Sequence, residues 1–165
     1  AIRDPDPVIF FEQKSLYATK GEVPDGELVD ELGKAKVLRK GDDVTIVALA
    51  AMVPRAMAAA DRLQQEDGVS ATVVDVRSLV PLDTQTIFKE VEHTGRLVTV
   101  EENPRLCGWG AEISSIVAEE MFYDLDGPII RITSPHCPIP SADDLEDQYL
   151  PTPERIVETI RREVD

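Results

Sequence analysis

Val44-Thr45-Ile46-Val47-Ala48-Leu49-Ala50 is nearly all apolar and partly β-branched. A run of that kind suits a strand buried on both faces, so it calls for helices above and below a sheet. Working outward, Pro54 stands where a helix begins, and Val53, Met57, Ala60 and Leu63 recur on one face of it until Gly68. The small residues Ala56, Ala58, Ala59 and Ala60 favour helix and allow close packing on a sheet. The strand-helix unit then repeats. Ala71–Val76 is a strand, and Asp83 is the N-cap of a helix carrying Ile87, Phe88 and Val91. Arg96–Glu101 is the next strand, followed by a helix with Ile113, Ile116, Val117 and Met121 on one stripe. Ile129–Ile132 is the last strand, and Thr152-Pro153-Glu154 opens a final helix displaying Ile156, Val157, Ile160 and Val164. On the other side, Lys36–Arg39 reaches Val44 through the four turn residues Lys40-Gly41-Asp42-Asp43, which predicts an antiparallel hairpin. The expected fold is α/β, a three-layer α/β/α sandwich with a mostly parallel sheet and one antiparallel edge strand.

The chain has 165 residues, room for one domain and a short appendage. Its 32 Asp and Glu against 17 Lys and Arg give a net charge of −15, which repels nucleic-acid backbones and anionic membranes. Apolar residues make up 42%, enough to bury a core despite that charge. No apolar run approaches the roughly 18 residues of a membrane span. Residues 1–11, AIRDPDPVIFF, lack the basic-then-apolar layout of a signal peptide, and the absence of an initial Met suggests a fragment or a processed chain. Val8–Phe11 reads as a short strand, and Gly21–Glu31 as an acidic linker. The expected division is therefore residues 1–32, the last strand of an absent domain plus linker, and residues 33–165, the α/β domain.

Ligands of open α/β sheets sit beyond the C-terminal ends of the strands. Arg77, Glu101 and Glu102 fall there, and Arg77 and Glu101 are expected on neighbouring strand ends, as a crevice pair, a loop brace or a subunit contact. Gly108-Trp109-Gly110 opens a helix whose N-terminus suits an anion, but Glu112 in its first turn opposes a phosphate. The two glycines suit close approach of another backbone, which makes Gly108, Trp109, Gly110 and Glu112 candidates for a subunit contact. Cys107 and Cys137 belong to no metal-binding pattern and read as reduced thiols of an intracellular protein. His136 beside Cys137 belongs to a Pro-rich loop, and His93 before Thr94-Gly95 suits a helix end. No catalytic group, cofactor site or metal site is expected in this chain.

In order, Arg39–Val47, Asp75–Asp83, Thr94–Val98 with Glu101-Glu102, and Gly108–Ile113 resemble the C-terminal domain of transketolase-like enzymes. They most resemble the β subunit of thiamine-diphosphate-dependent 2-oxoacid dehydrogenases acting on pyruvate, branched-chain oxoacids or acetoin. Val8–Glu12, Leu16-Tyr17 and Gly33-Lys34-Ala35 fit the stretch joining that subunit's two domains. The resemblance implies an α2β2 enzyme that oxidatively decarboxylates a 2-oxoacid and acylates a lipoyl group. Thiamine diphosphate and Mg²⁺ would then lie in the parent enzyme and outside this domain, which would serve assembly. Its implied partners are the thiamine-diphosphate-binding α subunit, a second β subunit and the peripheral-subunit-binding domain of the acyltransferase core. The implied compartment is the bacterial cytoplasm or the mitochondrial matrix. Asp124, Asp126, Asp143, Asp144, Glu146 and Asp147 are expected either to meet that basic binding domain or to form a solvated acidic face. His136 stands where the family carries an acid. A transketolase or deoxyxylulose-phosphate synthase parent, and a regulatory module binding a small anion near Arg77, are the alternatives.

Overall fold

The computed structural model describes residues 3–164. In chain order they form β1 (Lys36–Arg39), β2 (Val44–Ala48), α1 (Met52–Glu66), β3 (Ala71–Asp75), α2 (Thr84–Thr94), β4 (Leu97–Pro104), α3 (Trp109–Glu120), β5 (Ile130–Ser134), α4 (Asp143–Tyr149) and α5 (Pro153–Val164). The sheet runs β1-β3-β2-β4-β5. β2 pairs in parallel with both β3 and β4, β4 pairs in parallel with β5, and β1 lies antiparallel on the edge. The apolar run is thus the central strand, and all five of its residues are buried.

Alternation along β2 sorts the two helical layers. Val44, Ile46 and Ala48 pack with Met52, Ala56, Ala59, Ala60 and Leu63 of α1 and with Ile156, Val157 and Ile160 of α5. Val47 faces the other way, toward Ile87 and Val91 of α2 and Ile113 and Val117 of α3. Thr45, also on that face, donates its hydroxyl to the Glu90 carbonyl at 2.9 Å, so its buried oxygen is not left unpaired. The fully buried alanines of α1 let the helix lie close to the sheet.

The expected β1–β2 hairpin does not form, because β3 lies between the two strands. The turn is fastened to the beginning of β3. Gly41 N–H donates to Thr72 Oγ1 at 2.8 Å, Thr72 Oγ1 donates to the Gly41 carbonyl at 2.7 Å, and Asp43 N–H donates to the Ser70 carbonyl at 2.9 Å. A Cβ on Gly41 would lie 2.5 Å from the Ser70 and Ala71 backbone, so this crossing needs glycine. The four turn residues carry the chain across a strand end and leave a gap that β3 fills.

The caps follow the sequence. Asp83 accepts from Thr86 N–H at 3.2 Å and from Ala35 N–H at 3.0 Å. Burial pushes its carboxyl upward, but the hydrogen bonds from Thr86 and Ala35 outweigh this and hold it below the usual carboxylate range. Thr152 Oγ1 accepts from Arg155 N–H at 3.2 Å ahead of Pro153, and Gly95, with φ 66°, follows α2.

Two segments depart from expectation. Val8–Phe11 forms no strand, and its four apolar side chains are exposed; residues 3–35 hold only a short 3₁₀ turn, Lys14–Leu16. The absent-domain boundary expected at residue 32 also begins on residues 1 and 2, which lie outside the described residues, as does residue 165. Helix α4 was not expected, because Asp143-Asp144-Leu145-Glu146-Asp147-Gln148-Tyr149 has no apolar period and a single buried residue, Tyr149. Among the described residues no helix is long and apolar enough to cross a membrane.

Candidate functional site

Glu101 projects from β4 on the same face as Thr99, two residues earlier, and so points under the beginning of α3. Its carboxylate is fully buried. Oε1 accepts from Arg131 Nε at 3.0 Å and Nη2 at 2.9 Å; Oε2 accepts from Gly110 N–H at 2.9 Å and Asn103 Nδ2 at 3.1 Å. Arg131 Nη2 also donates to the Arg105 carbonyl at 2.9 Å. Arg131 is on β5, where it pairs with Thr99 across the ladder, so two adjacent strands place the two charges on one face. The two guanidinium donors converging on Oε1 and the further donors on Oε2 compensate the desolvation of both ions.

This arrangement explains the glycines. A Cβ on Gly110 would run into the Glu101 carboxylate and lie 2.6 Å from Thr99 Oγ1. A Cβ on Gly108 would also strike Glu101, and would lie 2.5 Å from Asn103 Nδ2 and 2.7 Å from Arg131 Nη2. The close approach that the Gly-Trp-Gly run predicts is made within the chain, by a side chain. Trp109 between them is half-buried against the α2–α3 core, and Glu112 is exposed on the first turn of α3. The α3 N-terminus is therefore occupied by the protein's own anion.

The three strand-end candidates come apart. β2 lies between β3 and β4, so Arg77 does not pair with Glu101. Arg77 pairs with Asp30 at 2.6 Å, and its backbone N–H holds Asp75 Oδ1 at 3.2 Å. Burial pushes the Asp75 carboxyl up, against that hydrogen bond and the charges of Arg77 and Lys36. Glu102 lines a cleft of about 600 Å³ beyond the C-terminal ends of β2 and β4, with Arg55 and Asn103 beside it and α4 along one wall.

The acidic candidates separate as well. Asp124 and Asp126 precede β5, while Asp143, Asp144, Glu146 and Asp147 follow it, so the strand's length, about 16 Å, lies between the two groups. Phe122 and Tyr123 stand exposed beside the first group, edge to face with ring centroids 5.4 Å apart. Asp147 of the second group pairs with Arg55 at 3.2 Å. His93 bonds Asp42 at 2.8 Å on the surface, and Cys107 and Cys137 are exposed free thiols.

Sequence reading missed Arg131, whose only signal is its place in the apolar run Ile129-Ile130-Arg131-Ile132. It also missed Glu90, a buried carboxylate paired with Lys40, though Glu90 falls on the apolar face of α2 beside Ile87 and Val91.

Comparison with known proteins now bears on this geometry. Residues 33–156 match the family model described as transketolase, C-terminal domain. The chain is 50% identical over 158 residues to the acetoin:2,6-dichlorophenolindophenol oxidoreductase subunit beta of Bacillus subtilis (strain 168), covering 95% of this chain and 46% of that protein. It is 44% identical over 162 residues to the pyruvate dehydrogenase E1 component subunit beta of Leifsonia xyli subsp. xyli, covering 98% and 48%. Among solved structures, a split gene transketolase described as an inactive beta4 tetramer superimposes with TM-score 0.72 at 30% identity, over 87% of this chain and 45% of that one. The chain spans about half the length of the curated relatives it matches.

Proposed function

Because the chain belongs to the transketolase C-terminal domain family, we propose that it is the assembly and partner-docking domain of the β subunit of a 2-oxoacid dehydrogenase, and that it does no chemistry itself. One observation carries the second half of this reading. Glu101, the carboxylate that the sheet places at the α3 N-terminus, is consumed by Arg131, Asn103 and Gly110. A buried carboxylate with all its partners in place braces a fold and is not itself free to move a proton.

Thiamine diphosphate would supply the electron sink for decarboxylation in the parent enzyme. This domain does not fit its diphosphate, because the α3 N-terminus already holds the Glu101 carboxylate and a second anion there would be repelled. As the family resemblance implies, diphosphate and Mg²⁺ would be held by the α subunit, and no step of the reaction is derived for this chain. Relatives named as acetoin- and pyruvate-acting β subunits support the same parentage.

For partners, the α subunit and a second β subunit are proposed to meet the exposed Val8–Phe11 stretch. The basic peripheral-subunit-binding domain of the acyltransferase core is assigned to the Phe122–Asp126 corner, where two exposed aromatics stand among carboxylates. Aromatic anchors ringed by charge are what such an interface uses. The bacterial cytoplasm and the mitochondrial matrix are the compartments consistent with this parentage. The small-anion alternative is disfavoured because Asp30 already engages the Arg77 guanidinium.

The test is direct. The purified chain, given pyruvate, acetoin or branched-chain oxoacids with thiamine diphosphate, Mg²⁺ and an artificial electron acceptor, should show no turnover above the blank. Turnover sensitive to Arg77→Ala would overturn the reading. Binding of a recombinant peripheral-subunit-binding domain should weaken with salt and with Tyr123→Ala; affinity indifferent to both would remove the docking role.

A further inference from the structure

The cleft beyond β2 and β4 is built differently from the Phe122–Asp126 corner. Its lining combines the apolar side chains of Leu16, Pro54, Ile139, Tyr149 and Leu150 with the carboxylates of Glu102, Asp143, Glu146 and Asp147. Ile139 is 67% exposed, a large apolar side chain left open to water at the mouth. Only Asp147 has an ion-pair partner among the described residues, and that partner is instructive: Arg55 reaches it with Nη2 at 3.2 Å while Nη1 donates to the Pro151 carbonyl at 3.0 Å. One lining carboxylate thus already holds a guanidinium from its own chain, with the Pro151 carbonyl just outside the lining as second acceptor. Glu102, Asp143 and Glu146 repeat the carboxylate half of that arrangement with no cation supplied.

From this we infer that the cleft seats an extended basic segment of a partner protein, with Leu- or Ile-like side chains against Ile139, Tyr149 and Leu150 and Lys or Arg side chains against Glu102, Asp143 and Glu146. Charge complementarity selects a basic occupant, and the several apolar side chains in the lining select a peptide over a small amine, which would leave Ile139 and Leu150 wet. One wall is made by the segment at Gln13–Leu16, so the occupant bridges that segment and the α/β domain. The inference rests on the docking reading above but assigns a second, separate face, at the opposite end of β5.

The probe is an acetylated, amidated pentapeptide alternating arginine and leucine, titrated into the whole chain by calorimetry, with its glutamate-leucine counterpart as control. The basic peptide should bind and the acidic one should not. Asp143→Asn with Glu146→Gln, both at exposed positions, should weaken binding about fivefold, and Ile139→Ser should weaken it by a similar factor while leaving the carboxylates untouched. The control pair Glu92→Gln with Glu158→Gln, exposed carboxylates outside the cleft and outside the Phe122–Asp126 corner, should leave affinity unchanged. Equal weakening by both acidic pairs would mean attraction to overall charge, and would overturn the proposal. An Ile139→Ser variant that binds like the parent would overturn it too. If the peptide fails to bind while a peripheral-subunit-binding domain still binds through Tyr123, the cleft proposal falls and the docking reading stands.

Discussion

Glu101 and Glu90 are the most deeply buried carboxylates among the described residues, and they are buried in different ways. Glu101 has its charge shared among Arg131, Asn103 and the Gly110 N–H, and Arg131 is itself only 10% exposed at its side chain. Glu90 is 2% exposed and takes both of its hydrogen bonds from Lys40, whose side chain is 62% exposed. The first is a dry brace tying β4, β5 and α3 together. The second is a tether from the turn after β1 to α2, open to water on its cationic side. A buried charge in a low-dielectric surround depends on its partners far more than one whose partner is solvated.

The largest effect should follow from breaking the brace. Glu101→Ala leaves Arg131 buried without a counter-charge and should cost about 3–5 kcal/mol of unfolding free energy. Urea denaturation followed by far-UV circular dichroism measures it. Glu101→Gln keeps the shape and one acceptor, so it should cost less than Glu101→Ala. A loss no larger than that of a tether variant would end the distinction drawn between the two carboxylates.

Gly110 sharpens the same comparison. A side chain there collides with the Glu101 carboxylate and with Thr99 Oγ1, so Gly110→Val should destabilise by about 2 kcal/mol. In a Glu101→Ala background the carboxylate is gone, and the second substitution should cost less than it does alone. Strict additivity in that double-mutant cycle would show that the glycine is needed for something other than Glu101. Sedimentation of the Gly110→Val variant addresses the subunit contact independently.

The tether should give less. Lys40→Met removes the one cation facing Glu90, but water reaches the site through the exposed lysine, so about 1 kcal/mol is expected, shrinking as salt is raised. Salt should barely alter the Glu101→Ala loss. Equal salt sensitivity at the two sites would make them the same kind of interaction.

The contrast also explains what the sequence could reveal. The central strand was legible because seven nearly continuous apolar residues have few other places to go, and Asp83 and Thr152 were legible because capping is a local act of three residues. The layer architecture followed from the strand-helix alternation. Strand neighbours were not legible. Four residues between Lys36–Arg39 and Val44 look like a hairpin until Gly41 is seen fastened to Thr72, 31 residues away. The same blindness paired Arg77 with Glu101 across a strand that stands between them, and hid Arg131, which reaches Glu101 only through the β4–β5 register. Partners on one element leave a period in the sequence; partners across a sheet leave none.

The smallest effects should appear where the two halves of the comparison meet, at a pair of aspartates near the end of β3. Asp83 is held below the usual carboxylate range by donors from Thr86 and Ala35, in spite of burial. Its charge therefore contributes stability above the unfolded-state value, near pH 4, and that contribution is lost as pH falls through the lower folded value. Asp83→Asn keeps a capping oxygen but loses the charge at the α2 N-terminus, so about 0.5 kcal/mol should go at pH 7, and the loss should shrink as pH falls below the unfolded-state value. Asp75 runs the other way, since burial raises its carboxyl. Its ionised form is less comfortable folded than unfolded, so its contribution improves as pH drops through the raised folded value. Asp75→Asn should consequently be neutral or slightly stabilising at pH 7, with the difference from the parent closing in acid. Thermal unfolding of the two variants between pH 3 and 7 should give pH dependences of opposite sign. Curves of the same sign would mean that hydrogen-bond donors, rather than depth, decide how this fold treats every carboxylate it covers.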